Sequence, residues 1–205
     1  FWMCQHGVRA DGAHGQYAIA IPEKDIAIAT TAGVANMQQV LTLIWDILLP
    51  DVTGDTLPED PVAHKELLEQ LDALSIPLAA GDLTPRHAPA AWKFRPNAAG
   101  VTDAAISFGD KDCTLIFHSK NGEEKLHAGF GFNCDNLLQL NDPYLRRTAA
   151  SAAWVSDSVL EIALCCYEGS FREVFRIDFA SAEKPLTSTR FCCFRPPFLP
   201  ELTAE

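Results

Sequence analysis

Apolar residues alternate along two neighbouring stretches near the start of the chain. Tyr17, Ile19 and Ile21 are spaced by Ala18 and Ala20, and after Pro22-Glu23-Lys24-Asp25 the alternation resumes through Ile26, Ile28 and Thr30. A period of two places successive side chains on opposite faces of a strand, and proline with charged residues between two such runs is turn chemistry, so the pattern predicts a β-hairpin. The period then changes. Val40, Leu41, Ile44, Ile47 and Leu48 recur at helical spacing, and Pro50 is expected to stop the run. Strand, hairpin and helix are predicted over residues 1–50, the helix burying one apolar stripe against the sheet.

Residues 51–90 break this pattern. Prolines at 50, 58, 61, 77, 85 and 89, with acidic residues at 51, 55, 59 and 60, have the composition of a linker. Inside it, Asp60 is placed to cap a helix with Pro61 at its first position. Leu67, Leu68, Leu71 and Leu74 then form a stripe, which predicts a short amphipathic helix over 61–74. From Ala91 onward the pattern is β, with strands expected at 91–96, 103–108, 113–119, 125–131, 150–155, 159–167, 171–179 and 187–195. Turn residues such as Gly109-Asp110, Asn121-Gly122 and Glu168-Gly169 separate them. Leu160, Ile162, Leu164 and Cys166 share one face, as do Phe175, Ile177 and Phe179. The expected fold is mainly β: an α+β segment over 1–50, a linker with a short helix over 51–90, and an antiparallel β-sandwich or barrel over 91–205.

Composition narrows the function classes. Of the 205 residues, 48% are hydrophobic and 21% charged, the balance of a folded globular chain. The most apolar stretch, Val40 to Leu49, is interrupted by Thr42 and Asp46, so no membrane span is expected. Sixteen basic against 27 acidic residues give a net charge of −11, which argues against nucleic acid or anionic lipid and towards small-molecule or protein partners. The opening Phe1-Trp2-Met3-Cys4 lacks an initiator methionine and a basic leader, which predicts an excised piece of a longer protein.

Seven cysteines include the adjacent pairs Cys165-Cys166 and Cys192-Cys193. Neighbours on a strand face opposite sides, which suits buried thiols better than a disulfide. The odd total and the lack of an Asn-x-Ser/Thr acceptor fit a reducing, cytoplasmic compartment. A structural zinc is the alternative, but no Cys-x-x-Cys occurs, and no cofactor is expected. His6 and His14 are a possible metal pair or simply surface residues. Trp92, Phe94, Phe130 and Phe132 are candidates for a ligand cavity or for ordinary sheet core. Glu168, Arg172, Arg176 and Asp178 read either as a polar cluster at a barrel mouth or as cross-strand ion pairs. The tail Arg195-Pro196-Pro197-Phe198-Leu199-Pro200 is either a polyproline ligand or a chain end packed along the barrel.

A nucleophile elbow, a His-Glu-x-x-His helix, a Walker loop and a Gly-x-Gly-x-x-Gly turn are all absent from the sequence. Ser181-Ala182-Glu183-Lys184 has the Ser-x-x-Lys spacing that, on a helix, sets a lysine one turn from a nucleophilic serine. It falls between two predicted strands beside Pro185 and is read as a loop.

One segment carries a family likeness. Arg9-Ala10-Asp11-Gly12-Ala13-His14-Gly15-Gln16-Tyr17 through Asp25, continuing into Ile26-Ala27-Ile28-Ala29 and the helix to Pro50, resembles the carboxy-terminal end of the serine β-lactamase and penicillin-binding-protein superfamily, more narrowly its class C-like and esterase-like branch. In that family a third catalytic motif, Lys-Thr-Gly or His-x-Gly, lies on an edge strand, followed by a glycine turn, a hairpin and a long terminal helix. The resemblance covers residues 1–50 and places Ala10 at the Lys/His position, Asp11 in the middle and Gly12 at the glycine. Alanine cannot polarise the site or hold a substrate carboxylate, and Arg9 is the nearest cation. The backbone N–H of Ala13 takes the family's oxyanion-hole position. No Tyr-x-Asn or Ser-x-Asn occurs in these residues, so the resemblance implies a fragment that is inactive alone, with the nucleophile on an upstream catalytic domain of the same chain. Trp154, the strand 159–167 and Tyr167-Glu168-Gly169-Ser170-Phe171 resemble the accessory domain that follows the catalytic domain in some members.

Three functions follow as expectations. The chain is the carboxy-terminal portion of a serine hydrolase acting on esters, amides or β-lactams; or its β-domain binds a hydrophobic small molecule or cell-wall fragment; or the β-domain is structural, covering the site or mediating a homo-oligomer.

Overall fold

The computed structural model describes residues 1–54, 56, 58–119, 122–139, 144–192, 197–199 and 202–205. The expected turn residue Asn121, Cys193 of the second cysteine pair, the end of the strand expected at 187–195, and Arg195, Pro196 and Pro200 of the tail lie outside the described residues. The chain is mainly β, 46% strand and 17% helical. It divides into two compact units, Phe1–Ser75 and Ile76–Glu205.

The first unit is a four-stranded antiparallel sheet in chain order: β1 (Trp2–Cys4), β2 (Gly7–Gly12), β3 (Gln16–Ile21) and β4 (Ile26–Thr30). The predicted hairpin is β3–β4, closed by a 3-10 turn at Pro22–Lys24 with Asp25 in the left-handed region. Tyr17, Ile19 and Ile21 are buried on one face, packed with Leu41, Ile44, Trp45 and Leu49 of the helix that follows. That helix begins as α1 (Met37–Leu43), capped by the Asn36 side chain accepting from Gln39 N at 3.3 Å. It widens into a π turn at Ile44–Leu48 and ends as α2 (Leu49–Asp51). Pro50 therefore does not stop the helix before itself. The π turn bonds Leu49 N–H to Ile44 O five residues back, and the ring of Pro50 enters as the second residue of the turn that begins at Leu49. β1 is a strand that the alternation did not predict. It pairs with β2, which starts at Gly7; at φ 134 a Cβ there would overlap the backbone carbonyl of Ala20 on β3, so glycine lets β2 approach β3 closely. Helix α3 (Pro61–Asp72) has the predicted cap, Asp60 Oδ1 accepting from Val62 N and Ala63 N at 3.0 Å each, and its leucine stripe is exposed.

The second unit is a curled nine-stranded mixed sheet, a half-barrel. Its strands are β5 (Ala90–Lys93), β6 (Val101–Phe108), β7 (Asp112–Ser119), β8 (Gly122–Phe130), β9 (Cys134–Leu138), β10 (Arg146–Trp154), β11 (Val159–Cys166), β12 (Arg172–Asp178) and β13 (Leu186–Phe191). All the predicted strands are present, and β9 is an addition. The order is β13-β12-β11-β10-β8-β7-β6-β5, with β9 also paired to β10. Among the described residues the pairings are antiparallel except one: Ser151 and Ala152 of β10 run parallel to Gly129 and Phe130 of β8. That exception arises because β9 wedges beside the first half of β10 and leaves only its second half to β8. The buried amide of Asn136 bridges the wedge, accepting from His127 N at 2.8 Å and donating to His127 O at 2.9 Å, so a side chain replaces a missing pair of ladder bonds.

Inside the curl, Leu160, Ile162, Leu164 and Cys166 of β11 face Phe175 and Ile177 of β12, as their alternation predicted. Phe117, Phe175 and Phe198 meet at the centre, with ring centroids 5.3–6.4 Å apart, and fill the interior. Phe198, Leu199 and Leu202 come from the last segment, which lines the open side of the half-barrel and bridges to β5 through Phe94 and Ala204. β10 is buried on both faces, and small residues, Ala149, Ala150, Ser151, Ala152 and Ala153, are what such a double cover admits. Part of that cover is a strap over 76–82. Ala79 N donates to Ser151 Oγ at 2.8 Å, and Asp82 pairs with Trp154 through two backbone bonds.

A buried acid holds the last strands together. Glu173 of β12 is fully buried; it accepts from Ser188 Oγ and from Phe198 N at 2.6 Å each, and pairs with Arg190 directly across the ladder, through Nε at 2.7 Å and through Nη2. Removing one member of such a pair leaves an uncompensated buried charge. Glu173→Ala is therefore expected to lower the unfolding free energy in urea by about 3–5 kcal/mol. Glu161→Ala, which breaks a half-exposed pair with Arg176, is expected to cost under about 1 kcal/mol.

Candidate functional site

The residues singled out by the family resemblance sit where β2 meets β3. Arg9 and Asp11, two apart on β2, share a face, and Arg9 Nε donates to Asp11 Oδ1 at 2.8 Å. That bond is the chief reason the guanidinium is held above its ordinary value. The same pair faces Ile19 and Tyr17 across the ladder, on the helix-covered side. Burial, followed by the nearby Asp11 charge, pushes the Tyr17 hydroxyl up, and its O–H donates to Met37 O at 3.1 Å. Ala10 points to the opposite face, in a row with Ala18 and Ala29. The charge of Arg9 is thus committed to Asp11 and lies on the other side of the sheet from the position that alanine occupies.

Gly12 is extended, and Ala13–Gly15 form a single 3-10 turn. His14 and Gly15 carry positive φ, 61° and 89°. The turn is tied down: Val34 N donates to His14 O at 3.0 Å, Thr30 Oγ1 to Gly15 O at 2.8 Å, and Gln16 Nε2 to Ala13 O at 3.1 Å. A fixed backbone turn following a strand is suited to presenting an N–H to a ligand oxygen. His6, the other histidine of the segment, packs its ring 5.2 Å from Trp45. No group of three His, Cys, Asp or Glu placed to hold a metal occurs among the described residues.

Other candidates are dispersed. Ser181 and Lys184 lie in the turn between β12 and β13, where Lys184 N donates to Ser181 Oγ at 3.2 Å, so the lysine is not one helical turn from the serine. Burial pushes the Cys113 thiol up to about 12 and raises Cys134, Cys165 and Cys166 as well, the reverse of an activated thiolate. Phe94 and Phe130 are core, Trp92 packs against it and Phe132 is exposed, so these aromatics do not enclose one cavity. Glu168 lies near Arg147, Arg176 pairs with Glu161 at 2.8 Å, and Asp178 accepts from Ala180 N at 3.0 Å. These groups do not converge on one point.

One polar row was not foreseen. Asp103 of β6, His118 of β7 and Glu123 of β8 stand side by side across three strands. The imidazole meets Asp103 Oδ1 through Nδ1 at 2.6 Å and Glu123 Oε2 through Nε2 at 3.1 Å. Only the register aligns these residues; in the sequence, 15 positions separate the first two. Hydrogen bonds to Asp103 and then Glu123 raise His118 above its ordinary value of 6.5. Asp103 is lowered chiefly by Thr102 and Glu123 chiefly by Lys125. The two carboxylates engage opposite ring nitrogens, so the row suits an imidazolium donating to both sides rather than a metal.

A histidine with a raised folded pKa gives stability that is complete below its unfolded value and is lost as pH rises through the folded value. The thermal midpoint of the protein is therefore expected to carry a falling limb as pH rises from about 6. In His118→Gln that limb should be absent from midpoints measured over the same pH series. Against known proteins, no family model, no curated protein and no solved structure matches this chain.

Proposed function

We propose that the first unit is the closing part of a serine hydrolase catalytic domain of the β-lactamase and penicillin-binding-protein kind, and that the second unit is its structural or interaction domain. The observation that carries this reading is a sheet built to be covered twice. β3 and β4 are apolar on both faces, Tyr-Ala-Ile-Ala-Ile and Ile-Ala-Ile-Ala, and the helix covers only the tyrosine and isoleucine side. The opposite side, Ala10, Ala18, Ala27 and Ala29, is exposed or half-buried. A strand apolar on both faces belongs to a sheet with layers on both. The second layer, on this reading, is the upstream part of the catalytic domain, carrying the nucleophilic serine.

The order of strand, glycine turn, strand, hairpin, strand and helix supports the assignment, since it is the order the resemblance implies. Within it the Ala13 N–H contributes to an oxyanion hole. It would stabilise charge that develops on the substrate carbonyl oxygen during acyl transfer, a role that needs backbone only. With Ala10 in the cation's position and Arg9 bound to Asp11, esters or neutral amides are better substrates than carboxylate-bearing β-lactams. A reducing, cytoplasmic setting belongs to the same reading, supported by Cys165 and Cys166 standing on opposite faces of β11 as separate thiols. No described helix is long and apolar enough to cross a membrane.

The test is a paired hydrolysis assay with a p-nitrophenyl ester, on this chain and on the longer protein containing it, each with and without a serine-reactive phosphonate. The expected outcome is turnover and labelling in the longer protein alone, with the label on a serine outside these 205 residues. Labelling within this chain, or turnover by it alone, overturns the proposal.

A further inference from the structure

The outer face of the half-barrel carries a feature unconnected with the hydrolase reading. Across β11, β12 and β13 the register sets three rows of outward side chains: Glu161, Arg176 and Thr187; then Ala163, Val174 and Thr189; then Cys165, Arg172 and Phe191. The strap passes above the last two rows. Between them lies a groove of about 240 Å³ whose apolar lining comes from Ile76, Leu78, Ala163, Val174 and Phe191.

The two arginines of this face differ. Arg176 is neutralised by Glu161 at 2.8 Å. Arg172, four residues earlier on the same strand, has Cys165 and Phe191 as cross-strand neighbours and makes no ion pair among the described residues. Glu173 also lines the groove but is buried and bonded to Ser188, Arg190 and Phe198 N, so in a chain with 27 acidic residues against 16 basic ones the exposed Arg172 guanidinium has no carboxylate partner among the described residues and is an unfilled complement. Guanidinium binds a carboxylate through two parallel hydrogen bonds, and each methylene placed in an apolar groove adds to affinity. Row spacing along a strand is about 6.6 Å, so a head at Arg172 sets the first methylenes of a tail over Ala163 and Val174.

We propose that this groove binds a free aliphatic monocarboxylate, its carboxylate on Arg172 and its alkyl chain between the strap and Val174. The strap is held in place independently of any ligand, by Ala79 N on Ser151 Oγ at 2.8 Å and by the Asp82–Trp154 backbone pair, so the groove is preformed.

The probe is sodium octanoate, titrated into the whole chain and followed by NMR and by mass-spectrometric mapping of maleimide labelling at Cys165, which lines the groove. Saturable binding with protection of Cys165 is expected, and octanol, which lacks the charge, should bind about tenfold or more weakly. Arg172→Gln should erase the preference for octanoate over octanol, and Arg172→Lys should restore part of it, while an unchanged thermal midpoint shows that both variants are folded. Octanoate that fails to saturate at millimolar concentration overturns the proposal, as does an unaltered preference in Arg172→Gln. Tighter binding of a peptide ending in an aliphatic residue assigns the groove to peptides instead. A concentration-dependent dimer that shields Cys165 without ligand assigns it to a second copy of the chain.

Discussion

The half-barrel depends on one buried carboxylate. Without further bonding partners at its open side, a curled sheet exposes the edge of its last strand and the apolar ends of its core. Glu173 deals with both. It grips Arg190 across the β12–β13 ladder and, through its other oxygen, takes the N–H of Phe198, so the segment carrying Phe198, Leu199 and Leu202 is seated on the core by a charge-assisted bond. Arg190 in turn lies 4.9 Å over the Phe171 ring, which shields the pair from water. Apolar burial supplies the attraction in this region, whereas the carboxylate selects which arrangement of β12, β13 and the final segment receives it.

Local fits between neighbouring strands organise other parts of both units. In the half-barrel, β9 enters beside β10, and the Asn136 side-chain amide of β9 takes the place of a backbone partner for the His127 peptide of β8. In the four-stranded sheet, the bare Cα of Gly7 lets the start of β2 lie close against β3. Neither device requires a large apolar contact, yet each fixes a strand's position. The filled interior of the half-barrel leaves ligand-sized apolar space on its outside, where the strap supplies the second wall.

Much of this architecture is legible in the sequence, for a physical reason. Alternation at period two is a local signal, so β3, β4, β11 and β12 could be read from Tyr17 to Ile21, Ile26 to Thr30, Leu160 to Cys166 and Phe175 to Ile177. The Asp60 cap was equally local. What could not be read was anything set by partners distant in the chain. β9 is short, and its inward residues Asn136 and Leu138 give no run of alternating apolar positions. The row of Asp103, His118 and Glu123 exists only through register, and so does the contrast between Arg172 and Arg176. The proline-rich composition around residue 77 concealed a strap bonded to residues about seventy positions away. For the residues of the family likeness, the sequence supplied Arg9, Asp11, Gly12 and Ala13. That Arg9 spends its charge on Asp11 needed the strand geometry.

The strap also changes how local motion should be understood in this unit. Residues 76–82 have no regular secondary structure, yet Asp82 exchanges two backbone bonds with Trp154, and Ala79 caps a buried hydroxyl on β10. Lifting the strap strands the peptide group of Trp154 and the hydroxyl of Ser151 without partners and uncovers Ser151 and Ala153 of β10. It is tied to β10, an interior strand of the sheet, and belongs to the same cooperative folding unit as that strand. Amides of a segment that looks like a loop are thereby given the slow solvent exchange of a core strand.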